Sequence, residues 1–476
     1  MIWFRAKTLR TLTLSVLGVC SSVTMLLSAS QAQTSVPKQV AGTNISIGMD
    51  HYLFGNLDIF NAFNNAAQQR LDRNLETVVL TKQALLRRNV QLAIVYVPFV
   101  GRIYPQRLPN DFKAPKLFQA VFAHSLKQWQ TNGVFVPDLN AAFVQARGPA
   151  GDEFPLYLRQ DNHWSTVGAL EAAKVVAAAV NTKFKSALTG LPEKTSSYEW
   201  LAPVVHEGNY YRSLPATERA KVVQEQFKPL RFTQNTGNDL LAAETPGVVL
   251  VGSSFSKLRE FGFADALAHF LRRDVLNVAE SGKSFWTPLL DYLASDAFVD
   301  SPPKLLIWEI PEEHFAPGSG PIDWVDAWAR RQYLLELGAN LIGDCASSGL
   351  LPVASFASDF SGDGSSMKID STNAKSFVKY QFSAPIRPDQ YLSIRAKSTS
   401  SDSFLIESAS AKPERYCSRL IGYGSFHQVN VPLATLADGQ TRSLIVRTAS
   451  GSDFALQAPK LCTIPAAISE LANGKR

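Results

Sequence analysis

The chain has 476 residues, of which 46% are hydrophobic and 18% are charged, and its formal net charge is +6. A domain takes roughly 150 residues, so this length allows two or three domains of an ordinary globular protein. The mild positive excess favours an anionic partner through long-range attraction. Nucleic acid is not the expected partner, because the sequence has no zinc-finger spacing, no basic helix and no dense block of Lys and Arg.

The N-terminus has the three regions of a secretory signal peptide. Basic residues within positions 1–10 precede an apolar run, and Ser30 and Ala32 provide small side chains at positions −3 and −1 of a cleavage site. Ser and Thr interrupt the run, which is short for a membrane span of ~20 residues. We therefore expect a signal peptide over 1–32, cleaved near Ala32, and export to the periplasm. An uncleaved membrane anchor is the alternative.

Residues 33–344 are expected to form an α/β domain, because apolar runs rich in β-branched residues alternate with helical patterns. Such runs suit strands that are buried on both faces of a doubly wound parallel sheet with right-handed crossovers. The expected strands are 92–99, 247–252, 274–279 and 304–311. The expected helices are 69–88, 114–131, 166–182, 256–271 and 321–337. The polar, Pro-interrupted segment 183–245 is interpreted as an insertion that covers the site.

The last part of the chain, 345–476, has a different pattern. Short alternating segments separated by Gly, Ser, Asp and Pro predict an antiparallel β-sandwich. After the signal, the cysteines are Cys345, Cys417 and Cys462, so an oxidising compartment would give one disulfide and one remaining thiol. The pair Cys345–Cys462 is favoured because it would tie the two ends of this region together. The alternative pair is Cys417–Cys462.

The first candidate for catalytic chemistry is QDNHWST (160–166), directly before a helical pattern. A carboxylate two residues from an imidazole can accept the Nδ1 proton and leave Nε2 as a base, and Asp161 and His163 have this spacing. Trp164 would supply an apolar wall that keeps the site dry. The alternative is that Asp161 only caps the helix and that His163 is a surface group.

The second candidate is GVVLVGSSFS (247–256), a strand that runs through a Gly-Ser-Ser turn into a helix. Such a turn lies at the carboxyl end of its strand, where open α/β sheets place their sites. The backbone N–H groups of the turn would favour a developing oxyanion beside Ser254. The alternative is that Ser253, Ser254 and Ser256 are turn and capping residues. Each motif supplies a group that the other lacks.

Five ordered blocks resemble the alginate O-acetyltransferases of the AlgX/AlgJ family, which are related to SGNH hydrolases. The family patterns are, in order, G-x-D-G-W-L-F, V-P-x-K-x-x-x-Y-P, D-x-H-W, G-[DT]-S-[FY]-S and W-E-I-P-E-R. The similar blocks here are GMDHYLF (48–54), VYVPFVGRIYP (95–105), QDNHWS (160–165), GSSFS (252–256) and IWEIPEEHF (307–315). The signal and the expected sandwich make the chain most similar to the two-domain, periplasmic AlgX type.

The resemblance implies an SGNH-hydrolase-like fold with a catalytic triad. Ser254 would be the nucleophile, His163 the general base and acid, and Asp161 the residue that orients His163. The backbone N–H of Ser254 is the first candidate for an oxyanion donor, with Gly282 or Asn277 as a second. Departures from the family pattern put substrate contacts in doubt; they are His51, Tyr52, Gly101 and His314.

For the sandwich, the resemblance implies a carbohydrate-binding module. Its basic residues would pair with uronate carboxylates through charge-assisted hydrogen bonds, and its tyrosines would pack on sugar faces. The alternative is that the charges form a solvated face and the tyrosines belong to the core. The basic candidates are Lys375, Lys379, Arg387, Arg395, Lys397 and Arg442, and the tyrosines are Tyr380, Tyr391 and Tyr423.

The resemblance therefore implies a polysaccharide O-acetyltransferase that transfers an acetyl group through Ser254 to hydroxyls of an acidic exopolysaccharide such as alginate. It also implies an acetyl donor passed on by a membrane-bound acyltransferase system, and an exopolysaccharide secretion complex as a partner. The alternatives are an acetylesterase with the same triad and a non-catalytic polysaccharide-binding scaffold. No cofactor or metal is expected, because the histidines show no ligand spacing.

Overall fold

In the computed structural model, the described residues lie between 37 and 472. The gaps are 56, 58–64, 114–115, 149–152, 235–246, 316–326, 344, 346–350, 352, 358–359, 364–365, 370–376, 399–402, 409–414, 420–425, 449–453, 467 and 469–471. The expected signal at 1–32, Lys375 and Tyr423 lie outside the described residues. Among the helices of the described part, none is both long and apolar enough to cross a membrane.

Helices and strands alternate over the first part of the chain. The strands are β1 (Ile45–Ile47), β2 (Leu53–Gly55), β3 (Gln91–Val97), β4 (Ser196–Trp200), β5 (Val204–His206), β6 (Glu225–Phe227), β7 (Leu230–Gln234), β8 (Val248–Val251), β9 (Val275–Asn277) and β10 (Leu305–Pro311). The helices are α1 (Asn65–Leu86), α2 (Val100–Ile103), α3 (Lys116–Thr131), α4 (Leu139–Ala146), α5 (Thr166–Lys183), α6 (Lys185–Leu188), α7 (Asn209–Ser213), α8 (Ala216–Arg219), α9 (Ser254–Lys257), α10 (Phe263–Leu271), α11 (Thr287–Leu293), α12 (Asp296–Asp300), α13 (Glu312–Phe315) and α14 (Ala327–Leu341).

A four-stranded parallel sheet in the order β3-β10-β8-β9 lies at the centre of this part. Successive strand residues point to opposite faces. Ile94 and Trp308 accordingly belong to a core with α1, α3, α11 and α14. Val95 and Ile307 belong to a second core with α4, α5 and α10. Both faces are covered, which explains the uninterrupted apolar strands and confirms the expected α/β class.

The expected helix over 256–271 is wrong in detail, because the chain breaks it into α9 and α10. Leu258, which ends α9, has an extended backbone with φ −73° and ψ 110°. Gly262 then has φ 72°, a left-handed conformation that glycine adopts without steric cost. The apolar side of α10 packs on α5.

The expected insertion at 183–245 contains two small antiparallel sheets. The strands β4 and β7 form one of them, and β5 and β6 form the other. The short helices α7 and α8 lie between β5 and β6 in the chain. The residues from His206, at the end of β5, through α7 reach the candidate site, as described below.

Two five-stranded antiparallel sheets form the C-terminal part and confirm the expected sandwich architecture. Their orders are β11-β14-β19-β16-β17 and β12-β13-β20-β15-β18. The strands are β11 (Val353–Ala357), β12 (Phe360–Asp363), β13 (Ser366–Ile369), β14 (Phe377–Gln381), β15 (Gln390–Ser398), β16 (Ser403–Ser408), β17 (Arg415–Arg419), β18 (His427–Pro432), β19 (Ser443–Thr448) and β20 (Phe454–Thr463).

Two of the tyrosines expected to pack on sugar faces, Tyr380 and Tyr391, are core residues instead. Tyr380 is 0% exposed and lies in the core of the sandwich, while Tyr391 is 2% exposed. Tyr391 belongs to the same core as Trp308 of the parallel sheet, together with Ile464. The chain from Ser35 onward forms one compact unit. The expected domain boundary at 344/345 therefore stays a prediction.

The disulfide joins Cys345 and Cys462, which is the pair favoured from the sequence. The two Cα atoms are 4.8 Å apart, and the bond closes a loop with a sequence separation of 117. The Sγ of Cys345 also lies 3.3 Å from the Tyr391 hydroxyl, beside β15. The bond therefore ties the chain just after α14 to β20 of the sandwich.

We expect the double variant Cys345→Ser/Cys462→Ser to unfold at a lower urea concentration than the oxidised protein. Closing a long loop restricts the unfolded chain, and such bonds typically contribute about 2–4 kcal/mol to the free energy of unfolding. Urea titration followed by circular dichroism measures the difference. The variant Cys417→Ser is the control. Non-reducing peptide mapping of this variant should still find the two peptides that the Cys345–Cys462 bond joins. A Cys417–Cys462 peptide in the wild type would contradict the assignment.

Candidate active site

The candidate nucleophile lies on the turn that follows β8. Ser253 accepts a hydrogen bond from the backbone N–H of Phe255 at 3.3 Å and so caps α9, which begins at Ser254. Gly252 leaves no space for a side chain, because an added Cβ would come within 2.5 Å of the Glu309 carboxylate. The turn therefore requires glycine where β8 and β10 approach each other.

The buried carboxylate of Glu309 fixes this turn through hydrogen bonds. Glu309 of β10 accepts hydrogen bonds from the Ser253 backbone N–H at 2.8 Å, from the Ser253 hydroxyl at 3.0 Å and from the Ser256 hydroxyl at 3.1 Å. Burial raises the pKa of Glu309 to about 7, although these hydrogen bonds act in the opposite direction. This role of Glu309 was not expected from the sequence, although a carboxylate inside an otherwise apolar strand was a signal for it.

The second motif, QDNHWST (160–166), meets the serine turn through its histidine and tryptophan. Ser165 accepts hydrogen bonds from the backbone N–H groups of Val167 and Gly168 and so begins α5. Trp164 is 0% exposed, and its Nε1–H donates to the carbonyl oxygen of Phe255 at 3.2 Å. Trp164 thus joins the two motifs from inside the core. Its expected role as an apolar wall of the site stays a prediction.

Asp161, His163 and Ser254 form a continuous hydrogen-bonded chain. The His163 Nδ1 is 2.7 Å from Asp161 Oδ1, and its Nε2 is 2.7 Å from Ser254 Oγ. The rings of Phe255 and Phe261 lie 4.8 and 5.4 Å from the imidazole ring, between centroids. An oriented imidazole beside a serine hydroxyl can act as a base towards that hydroxyl. The structure thus brings together the three residues expected from separate motifs.

The insertion completes the surroundings of Asp161. His206 Nε2 lies 3.1 Å from Asp161 Oδ2, and the backbone N–H of Asn209 donates to the same oxygen at 2.9 Å. Burial would raise the pKa of Asp161. The hydrogen bonds from His163 and His206, the charge of His163 and the N–H of Asn209 outweigh it and hold the pKa well below its ordinary value. Neither His206 nor Asn209 belongs to a recognisable motif, so sequence reasoning missed both.

A cavity of about 420 Å³ opens over Ser254 and His163. Gly282 lines it, as expected for a group near a developing oxyanion, and its donor role stays a prediction. The Asn277 side chain bonds to the backbone: its Nδ2 donates to the Ser256 carbonyl oxygen at 2.8 Å, and its Oδ1 accepts from the Ala279 N–H at 3.0 Å. Its role as an oxyanion donor stays a prediction.

Two further titratable groups lie beside Asp161 and His163. Burial raises the pKa of Glu313 to about 7, against the hydrogen bond from Asn162 and with the help of the neighbouring carboxylates. Burial and the charge of His163 lower the pKa of His314 to about 4, so His314 lines the cavity as a neutral imidazole at pH 7. Within the described part of the chain, no group of three or more His, Cys, Asp or Glu side chains could hold a metal ion.

Five of the basic residues expected to bind sugar lie in the described part of the sandwich and do not line this cavity; they are Lys379, Arg387, Arg395, Lys397 and Arg442. Arg387 is exposed and forms an ion pair with Asp389 at 3.0 Å. Arg395 and Lys397 point to the same face of β15, where Arg395 Nη2 donates to the Phe426 carbonyl oxygen at 3.5 Å. The Lys397 ammonium lies 4.9 Å from the centre of the Phe426 ring. Their role in binding polysaccharide stays a prediction.

Comparison with known proteins places the chain and its fold in a family. Residues 45–312, more than half of the chain, match the family described as the SGNH hydrolase-like domain of the acetyltransferase AlgX. The chain belongs to the AlgX family. The expected family is thereby confirmed, and the chain is an acyltransferase.

Relatives of known sequence include both types of this family. The probable alginate O-acetylase AlgJ of Pseudomonas syringae pv. tomato is 31% identical over 280 residues, which cover 57% of this chain and 68% of the relative. The alginate biosynthesis protein AlgX of Azotobacter vinelandii is 31% identical over 315 residues, which cover 63% of this chain and 61% of the relative.

Solved structures of the AlgX family share the fold. The O-acetyltransferase domain of Pseudomonas putida AlgJ superposes with a TM-score of 0.52 and 27% identity, covering 61% of this chain and 98% of that domain. Pseudomonas aeruginosa AlgX superposes with a TM-score of 0.62 and 19% identity, covering 89% of this chain and 95% of that protein. The fold shared with AlgX therefore extends well beyond the part shared with the AlgJ domain.

The raised pKa of Glu309 predicts that stability falls as the pH rises from about 4.5 to 7. The folded state holds a proton in this window that the unfolded state has released, so the folded state becomes less favourable with increasing pH. Between pH 5 and pH 8 the free energy of unfolding should lose about 2–3 kcal/mol through this one group. Glu309→Gln should remove this contribution, which urea titration at the two pH values measures.

Glu199→Gln is the matched control, because Glu199 is an exposed glutamate on β4 that pairs with Arg231. It should leave the pH dependence as in the wild type. If Glu309→Gln also keeps the wild-type difference between pH 5 and pH 8, Glu309 is ionised at lower pH than its burial indicates.

Proposed function

We propose that this protein is a polysaccharide O-acetyltransferase that uses Ser254, His163 and Asp161 as a catalytic triad. The observation that carries the proposal is the pair of 2.7 Å distances from His163 to Ser254 Oγ and to Asp161 Oδ1. The cavity above Ser254 gives an acyl donor and an acceptor access to this hydroxyl.

The proposed reaction has two acyl-transfer steps. His163 Nε2 accepts the Ser254 hydroxyl proton while Oγ attacks the acetyl carbonyl carbon, and the same proton then passes to the departing group of the donor. The acetyl-enzyme that remains is attacked by a sugar hydroxyl, whose proton His163 accepts in turn and returns to Ser254 Oγ. Asp161 accepts the hydrogen bond from the Nδ1–H of His163 and stabilises the imidazolium in both steps.

The negative oxygen that forms in each step requires donors at fixed positions. Ser254 is the first residue of α9, and the first N–H groups of a helix have no partner within it. We assign the backbone N–H of Ser254 as one donor for this reason. Gly282 lines the same cavity and is the candidate for a second.

We propose an acidic polysaccharide such as alginate as the acceptor, because the relatives are named alginate O-acetylase and alginate biosynthesis protein. Arg395 and Lys397, on the same face of β15, would pair with uronate carboxylates in the sandwich. Export to the periplasm after cleavage near Ala32 rests on the signal pattern. The acetyl donor would come from a membrane-bound acyltransferase system, and the partner would be a secretion complex, both by family likeness.

Ser254→Ala should lower acetyl transfer at least about 1,000-fold, because it removes the attacking atom and leaves the cavity in place. The assay incubates the mature protein with an activated acetyl ester and mannuronate oligosaccharides and detects acetylated sugar by mass spectrometry. Free acetate as the sole product of the wild type would identify an esterase. Equal transfer by both proteins would remove Ser254 as the nucleophile.

Ser295→Ala is the matched control for this experiment. Ser295 caps α12 by accepting a hydrogen bond from the Phe298 N–H at 3.4 Å, and it does not line the cavity. Its loss should cost about 1 kcal/mol of stability and leave transfer unchanged.

His206→Ala should lower kcat about 10- to 100-fold with little change in KM, because a hydrogen bond to a charged group contributes about 1.5–3 kcal/mol. The remaining hydrogen bonds would hold Asp161 less firmly for the imidazolium that forms in each step. His206→Gln keeps a donor and should recover part of the rate. His269→Ala, which removes a histidine bonded to Ser196 outside the cavity lining, should retain kcat. A wild-type kcat in His206→Ala would refute this positioning role.

A further inference from the structure

The helix α7 carries a guanidinium to the rim of the catalytic cavity. Arg212 lines the cavity and is exposed to solvent. Its Nη1 donates to the Glu207 carbonyl oxygen at 2.6 Å, and its Nη2 donates to Asn209 Oδ1 at 2.5 Å. Both acceptors are uncharged, so these contacts orient the guanidinium without neutralising its charge. A guanidinium has five N–H donors, and most of them remain for a ligand.

The other charged groups that line this cavity are arranged differently. Lys283 forms ion pairs with Glu280 at 2.5 Å and Asp291 at 3.0 Å, so its charge is compensated by protein carboxylates. The Asp161 carboxylate is occupied on both oxygens by hydrogen bonds. Glu260 is an exposed carboxylate on the rim. Among the described residues that line the cavity, a ligand therefore meets one cation without a carboxylate partner, Arg212, and one exposed anion, Glu260.

Asn209 connects this cation to the triad. Its backbone N–H donates to Asp161 Oδ2 at 2.9 Å, its Nδ2 donates to Asn162 Oδ1 at 3.2 Å, and its Oδ1 accepts from Arg212. One residue thus sets the position of the guanidinium relative to the carboxylate that orients His163. A ligand group bound by Arg212 would have a defined position relative to the Ser254 hydroxyl.

We propose that Arg212 binds the carboxylate of a uronate in the acceptor and so selects which hydroxyl reaches the acetylated Ser254. Arginine pairs with a carboxylate through two parallel, charge-assisted hydrogen bonds, which define both the position and the orientation of the sugar ring. Glu260 repels the same carboxylate from its own side of the rim, so the ring enters in one orientation. This inference rests on the proposed function and assigns it a specificity-determining residue.

Arg212→Gln should raise KM for a mannuronate oligosaccharide at least about tenfold, because charge-assisted hydrogen bonds are lost. It should leave KM unchanged for the same oligosaccharide after reduction of its carboxyl groups to alcohols. Release of acetate from p-nitrophenyl acetate without any sugar should stay at the wild-type rate, since the donor step does not use Arg212. Arg212→Lys should give an intermediate KM, because it keeps the charge and loses the planar pair.

Arg219→Gln is the matched control, because Arg219 lies on the neighbouring helix α8 of the same insertion and does not line the cavity. It removes an equal charge and should keep the wild-type KM for both acceptors. If Arg212→Gln keeps the wild-type KM for mannuronate while Ser254→Ala abolishes transfer, the inference about Arg212 falls and the proposed function stands.

A binding measurement decides the inference without catalysis. Titration calorimetry compares Ser254→Ala with Ser254→Ala/Arg212→Gln for binding of the mannuronate oligosaccharide. The second protein should bind at least about tenfold more weakly, and its affinity should depend less on salt concentration. Equal affinities at low salt would overturn the role of Arg212. If Ser254→Ala still transferred acetyl groups, the proposed function would be overturned. The titration would still test Arg212, because binding does not depend on the nucleophile.

Discussion

The Asp161 carboxylate is the group on which the arrangement of the site depends. One oxygen receives the His163 ring, and the other receives His206 and the backbone of Asn209. A buried anion without these donors would be costly, whereas with them it stays ionised and rigid. The loop before α5 and the insertion are therefore held together by one charge, and the imidazole that faces Ser254 has little freedom to rotate.

The strands and the position of Ser254 were accessible from the sequence for a physical reason. Strands buried on both faces need continuous apolar runs, and the carboxyl end of such a strand is where open α/β sheets place their sites. The pairing of Ser254 with Asp161 and His163 rested on the resemblance to the family. His206 and Asn209 could not be found this way, because their contacts with Asp161 arise from the tertiary position of short strands and turns. Alternation within the sandwich predicted its strands, but could not show that Tyr380 and Tyr391 face inward.

The two sides of the central sheet have different roles. One side carries α5 and α10, and Glu309 on this side holds the Ser253–Ser254 turn. The core on the other side continues into the sandwich through Tyr391 and Ile464. The sheet therefore separates the candidate site from the attachment of the sandwich. Strand β10 contributes to both sides, because its alternate residues point in opposite directions.

The position of β10 between β3 and β8 has a consequence for the order in which the site can form. This strand is the last of the parallel sheet along the chain and occupies an interior place, and it carries the glutamate beneath the serine turn. A growing chain that has not yet reached residue 304 already contains Asp161, His163 and Ser254, but it lacks the support that shapes the turn. Competence for acyl transfer therefore requires nearly the whole α/β part, with the final strand in the gap between its neighbours.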